Sequence, residues 1–248
     1  MNLLQTINEE TFVISDLHFN HKNILQYETV RLEYLADYDD DVTEECHQLL
    51  DLFNEIPSNE RKNNEEIIKL SKLLIPYHNT MLIEKWNNTV SENNTVFCLG
   101  DFAFGDIEKL TKQLNGRKIL LMGNHDEKQK SHYLAHGWDY VIDNVKLNLN
   151  NSVYDLEENN GAAGFFTTIN NTRLLFSHHP VFNDTGYEPK FGSTKTLEDV
   201  YLGCNADFNI HGHTHSRNST FKNSINASVE RCTSLSPIRI GRLLENNM

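Results

Sequence analysis

The sequence predicts a layered α/β fold, and three observations carry that expectation. Short apolar, β-rich runs recur along the chain, helical-period segments lie between them, and a polar cluster follows several of the runs directly. Residues 11–15 (TFVIS) form the first run and end in Asp16. A helix is expected near His21 to Tyr27. Residues 95–99 (TVFCL) read as a strand buried on both faces, running into Gly100-Asp101. Ile107, Leu110 and Leu114 fit a helix closed by Asn115-Gly116. Residues 118–122 (KILLM) are another buried strand and lead into Gly123-Asn124-His125-Asp126. Further strands are expected at 173–177, 207–211 and 224–229. The Asn- and Gly-rich stretch 148–172 has no clear period and is read as hairpins.

One segment departs from this alternation. Val42, Cys46, Leu49, Leu50, Phe53 and Ile56 recur at helical spacing until Pro57. Ile67, Ile68, Leu70, Leu73 and Leu74 predict a second helix stopped by Pro76, and Leu82, Trp86 and Val90 a third. The chain is therefore read as one domain, 1–248, with an acidic helical insertion at about 40–78. Between Glu33 and Glu66 there are twelve acidic residues and two basic ones, so most of the chain's net charge of −13 is concentrated here. Such a surface disfavours duplex nucleic acid as a routine partner. A small phosphorylated ligand stays compatible, because bound cations dominate a local field. No run reaches the roughly 18 apolar residues of a membrane span. Without a secretory leader, and with four scattered cysteines, the expected location is the cytoplasm.

Asp16, Asp101, Asn124, His178 and His213 each stand just past an apolar run, where a sheet fixes the backbone and a loop frees the side chain. Eight of the twelve histidines fall in or beside these clusters. A lone histidine is more often a packed or solvated residue than a ligand, and His47, His78, His132 and His136 are read so. Histidines mixed with aspartates and an asparagine at strand ends are instead the donor set of divalent metals.

Asp16-Leu17-His18, Gly100-Asp101, Gly123-Asn124-His125-Asp126, His178 and Gly212-His213-Thr214-His215 come in the order of the five motif blocks of calcineurin-like metallophosphoesterases. The chain resembles that superfamily from about residue 11 to 229, and its small phage and bacterial branch in particular. The resemblance implies a four-layer α/β/β/α sandwich with two mixed β-sheets. It implies two divalent metal ions, Mn favoured, with Fe, Zn and Ni as alternatives. Asp16, His18 and His215 would hold the first ion, and Asn124, His178 and His213 the second. Asp101 would bridge them, offering an oxygen to each. His125 would be the catalytic residue beside the leaving group, with Asp126 orienting its ring or capping the next turn. His179 is expected behind the ligands, and His21 and Arg31 are candidates to reach the phosphate.

The implied activity is hydrolysis of a phosphate ester by a water activated between the two ions, on a small nucleotide or cyclic nucleotide, with diesters ahead of monoesters. Two alternatives remain: a phosphomonoesterase of the same fold, and a non-catalytic protein that binds through its acidic insertion. The protein-phosphatase branch carries G-D-x-x-D-R-G. Here Phe104 stands in place of the second aspartate and the arginine is missing, which argues against that activity.

Overall fold

The computed structural model of the protein describes residues 2–156, 161–182, 193–217, 219 and 221–247. In chain order the elements are β1 (Phe12–Ile14), α1 (Ile24–Tyr27), α2 (Val30–Tyr38), α3 (Thr43–Glu55), α4 (Ser58–Arg61), α5 (Glu65–Thr89) and β2 (Thr95–Cys98). They continue with α6 (Ile107–Thr111), β3 (Arg117–Leu121), α7 (Lys130–Ala135), β4 (Tyr140–Ile142), β5 (Val145–Leu149), β6 (Ser152–Asp155) and β7 (Gly164–Ile169). The last are β8 (Thr172–Ser177), α8 (Ser193–Gly203), β9 (Phe208–His211), β10 (Ser224–Asn226), β11 (Ile238–Arg239) and α9 (Ile240–Glu245).

The strands make two mixed sheets, in the orders β11-β1-β2-β3-β4 and β10-β9-β8-β7-β5-β6. Within the first, β1 to β4 run parallel and β11 closes one edge antiparallel to β1. The sheets face each other through aromatic contacts, Phe97 on β2 lying 6.1 Å from Phe165 and 5.1 Å from Phe176 between ring centroids. All three rings are fully buried, each worth about 1.5–3 kcal/mol of removal from water. Strand alternation supplies the next layer. Phe166 and Leu175, one residue along from the inward pair Phe165 and Phe176, join Leu197, Val200 and Tyr201 of α8 in a separate apolar cluster. Helices thus cover both outer faces, as the four-layer expectation requires.

Two of the turns explain why 148–172 resists a periodic reading. β5–β6 and β7–β8 are antiparallel hairpins, and Asn150-Asn151 and Asn170-Asn171 between them all adopt positive φ. The expected strand at 224–229 is shorter, since the chain leaves β10 for a short turn of helix at Val229–Arg231.

The helical segment differs from its expectation. Pro76 does not end a helix: α5 runs unbroken from Glu65 to Thr89, and the second and third expected helices are one. Pro76 and Lys72, the residue whose carbonyl loses its partner, both lie on the exposed face of the helix. Asn64 caps the start by accepting from the Ile67 amide at 3.0 Å. α2, α3 and α5 pack on one another, and Cys46, Leu49, Phe53, Leu70 and Leu74 belong to the same apolar core as the first sheet. No described helix is long and apolar enough to cross a membrane.

Candidate metal centre

The parallel ladders do not stop where the strands do. The Asp16 amide donates to the Gly100 carbonyl at 3.0 Å, His18 to Asp101 at 3.0 Å, and Gly212 to His178 at 3.0 Å. These bonds hold the loops beyond β1, β2, β8 and β9 side by side, so ligand-type residues far apart in sequence converge. The local backbone is unusual. Asp16 (φ 59°), His18 (50°), Asp101 (55°), His213 (67°) and His215 (52°) all lie in the left-handed region. For residues with a Cβ this costs roughly 1–2 kcal/mol each, and such strain persists only where surrounding bonds over-determine it. Close approach supplies part of that constraint. A Cβ on Gly212 would fall 2.0 Å from Ser15 Oγ and 2.4 Å from Asp16 Oδ2.

Three overlapping groups of donors result: Asp16, His18 and His215; Asp16, Asp101 and His178; and His178, His179 and His213, their ligand atoms within 4.8 Å of one another in each group. Asp16 Oδ1 is 3.9 Å from both His18 Nε2 and His215 Nε2, while its Oδ2 accepts from the His213 amide (2.8 Å) and Ser228 Oγ (2.9 Å). Asp101 Oδ2 stands 3.5 Å from His18 Nε2 and 3.4 Å from His178 Nε2, joining the two ends of the site. Its other oxygen, Oδ1, accepts from the His125 amide at 2.8 Å. His178 Nδ1 faces the Leu99 carbonyl at 2.8 Å, which leaves Nε2 toward the site and 3.0 Å from Asn124 Oδ1.

The electrostatics suit cations. Asp16, His18, Asp101 and His178 are buried. Burial, the largest influence, holds His18 far below its ordinary value, and burial followed by His178 lowers His213 to about 3, so both rings are neutral donors. Burial would lower His178 too, yet Asp101 and Asp16 raise it to about 10. The buried carboxylates demand positive charge beside them. Asp16 Oδ1 and both ring nitrogens of His18 are buried without a hydrogen-bond partner among the described residues. Such orphaned oxygen and nitrogen donors fit divalent metal ions of the Mn, Fe or Zn kind.

All seven expected ligands are therefore brought to one cleft, and three other expectations change. Asp126 does not reach the His125 ring. Its carboxylate is buried and accepts from the backbone amides of Gly123 (2.8 Å), Asp101 (2.8 Å) and Phe102 (3.2 Å), bracing the turns that carry the ligands. Arg31 does not reach a phosphate. It is fully buried, donating to the Asp16 (2.6 Å) and Leu17 (2.9 Å) carbonyls and to Glu230. His179 is not behind the ligands but among them, its ring 4.2 Å from that of His213. His125 and Asn124 are exposed at the rim, and His21 is half-buried, 5.3 Å from the His18 ring and 6.3 Å from the His125 ring. Sequence reading missed Glu230 and Ser228, which support His215 and Asp16; neither lies in a motif block.

Fold and site together place a candidate cluster of metal-ligating Asp and His residues where two facing sheets end. A model of the family described as calcineurin-like phosphoesterase matches residues 11–217, and the chain belongs to that family. Gene 66 protein of Mycobacterium phage D29 is 29% identical over 148 residues, covering 57% of this chain and 68% of the phage protein. The corresponding protein of Mycobacterium phage L5 is 28% identical over 151 residues, 56% of this chain and 65% of its own length. An uncharacterized protein of Methanocaldococcus jannaschii is 27% identical over 121 residues, 47% of this chain and 46% of that protein. Among solved structures, a protein of unknown function from Aquifex aeolicus superposes with a TM-score of 0.57 at 20% identity, over 96% of this chain and 98% of that one, a likeness of fold.

Proposed function

We propose that the protein is a metal-dependent phosphodiesterase acting on a small nucleotide or cyclic nucleotide. The observation that carries this reading is a cavity of about 370 Å³ beside His178 and His179, lined also by Met122, Asn124, Asp143, Ala163 and Leu197. Its apolar wall suits a base or sugar edge. Among the described residues no lysine or arginine lines it, so a monoester's second negative charge would find no basic side chain among them. Asp143 would repel that charge, although Lys130 at 2.9 Å offsets part of its field.

Asp16, His18, His215 and Asp101 would hold one ion, and Asp101, Asn124, His178 and His213 the other, with His179 within reach of the second. When bound, two divalent ions supply Lewis acidity and lower the pKa of water. The chain's own residues do the rest. His125, exposed and with its ring 5.4 Å from that of His18, hands a proton to the departing oxygen. Leu197 and Ala163 exclude water from one side of the substrate, and Asn124 turns its amide toward the phosphate. Membership of the family favours Mn²⁺, and a set of imidazoles with carboxylates and an amide admits Fe, Zn or Ni as well. Four free cysteines, three of them buried, are in keeping with a cytoplasmic location.

The test is a comparison of bis(4-nitrophenyl) phosphate with 4-nitrophenyl phosphate, then of cyclic with linear nucleotides, on the Mn²⁺-loaded protein. The diester should lead in kcat/KM by about tenfold or more. A monoester hydrolysed equally well or better would overturn the reading.

A further inference from the structure

Glu230 and Arg31 form a buried ion pair that no motif block contains. Both side chains are 0% exposed. Glu230 Oε1 accepts from Arg31 Nε at 2.7 Å and from Nη2, and it stands 3.0 Å from His215 Nδ1. That contact turns the opposite nitrogen, Nε2, toward Asp16 Oδ1. Arg31 then reaches the other side of the same half-site, donating Nη2 to the Asp16 carbonyl and Nη1 to the Leu17 carbonyl, which belong to the two peptides flanking Leu17. His78 of α5 backs the guanidinium, its Nε2 lying 3.3 Å from Nη1. On the same helix Asn79 exchanges hydrogen bonds with Asn20, two residues beyond His18.

We propose that Glu230 is a positioning residue for the Asp16, His18 and His215 half-site, and that Arg31 extends its grip to the segment carrying the other two ligands. One ion pair aligns two ligand segments 197 residues apart, the distance between Asp16 and His213 being bridged also by the Asp16 Oδ2 to His213 amide bond. Three physical reasons support the role. The carboxylate fixes both the tautomer and the ring plane of His215, which is how the partners of metal-ligating histidines act. A buried pair is poor evidence for stability, since apolar residues of the same size often replace it without loss. And the only neighbours this pair contacts closely, among the hydrogen bonds described above, are ligands, ligand-bearing backbone and a helix that braces that backbone. Through His78 and Asn79 the middle of α5 becomes a buttress of the site.

The inference rests on the two-ion reading above, and the experiment separates the two. Metal-free wild type, Glu230→Gln and the double variant Arg31→Met/Glu230→Leu are titrated with Mn²⁺ by calorimetry, with circular dichroism as the check on folding. Anomalous maps of the loaded crystals assign each ion to its half-site. The double variant, which removes both charges at near-constant volume, should fold and bind the ion at Asp16, His18 and His215 about 10- to 100-fold more weakly. The other ion should change by no more than about twofold, because none of its ligands except the shared Asp101 belongs to this half. Glu230→Gln keeps an acceptor for His215 and should fall between wild type and the double variant. A folded double variant that binds both ions as wild type does, or loses both equally, overturns the positioning role. A wild type that takes up no second ion overturns the two-ion reading and this inference with it.

Discussion

Gly100→Ala tests the packing of the site at the place where two ligand turns touch. Gly100 has φ +105°, and a Cβ there would fall 2.6 Å from Gly123 N, 2.7 Å from Gly123 Cα and 2.8 Å from His178 Nδ1. Two of these atoms are backbone and cannot swing aside. The positive φ costs an alanine roughly 1–2 kcal/mol, and relief of the overlap costs about 1–3 kcal/mol more. Displacing His178 Nδ1 also weakens its 2.8 Å contact with the Leu99 carbonyl, worth about 0.5–1.5 kcal/mol. The expected total is about 2.5–6.5 kcal/mol, a fall in Tm of roughly 5–26 °C at about 2–4 °C per kcal/mol for a chain of this size. Urea and thermal unfolding of the metal-free protein measure it. Gly203→Ala, at the end of α8 with nothing within 4 Å of a built Cβ, is the control and should be neutral or stabilising by up to about 1 kcal/mol. A Gly100→Ala loss within about 0.5 kcal/mol of that control, the range of ordinary surface changes, would refute the account of how the turns are packed.

Three further outcomes are expected. His125→Ala should keep both ions yet lose roughly 10²–10⁴-fold in kcat on an alkoxide leaving group, and less on nitrophenolate; equal losses on both would remove it as the proton donor. Asp126→Asn should lower stability by about 2–3 kcal/mol in urea, because an amide presents a donor where the carboxylate accepts from three backbone amides; an unchanged urea midpoint with lost turnover would return Asp126 to a catalytic role. Burial first, then Arg31, pushes His78 down to about 3, so it stays neutral when folded and takes a proton on unfolding. Its contribution is therefore present above pH 6.5 and lost as pH falls toward 3, about 2 kcal/mol between roughly pH 7.5 and 5; His78→Gln should flatten stability against pH by that amount, and an unaltered slope contradicts it.

The strands that deliver the ligands were legible because strands buried on both faces read as apolar runs, and each run points at its polar end. Val96 to Leu99 and Ile119 to Leu121 are fully buried, and Asp101 and Asn124 follow them closely. Helix boundaries were less legible. Pro76 sits inside α5, where packing of the helix against α2 and α3 holds it through the proline, a tertiary effect that local sequence does not carry. Glu230 was invisible for another reason. Its partners Arg31 and His215 lie 199 and 15 residues away, and neither separation follows a strand or helix period. His78 had no local signal either, since its neighbour Arg31 belongs to a different helix. Asp126 misled because adjacency to His125 in sequence says nothing about which way a side chain turns after a tight bend.

The centre draws Asp16, Asp101 and Asn124 from the loops of the first sheet and His178, His213 and His215 from those of the second. A cation gripped there would be shared by two layers that meet inside through apolar side chains and, at this rim, already through bonds such as Asp16 Oδ2 to the His213 amide and His178 Nδ1 to the Leu99 carbonyl. It works as a clasp at one end of a hinge. With a cation in place, the sandwich would resist opening along this rim, and fraying would start at the opposite ends of the strands or at the sheet edges, β4, β6, β10 and β11. Chelation would change where the molecule comes apart before it changes how firmly it is folded, and amide exchange at the tips of β1, β2 and β9 would register the difference first.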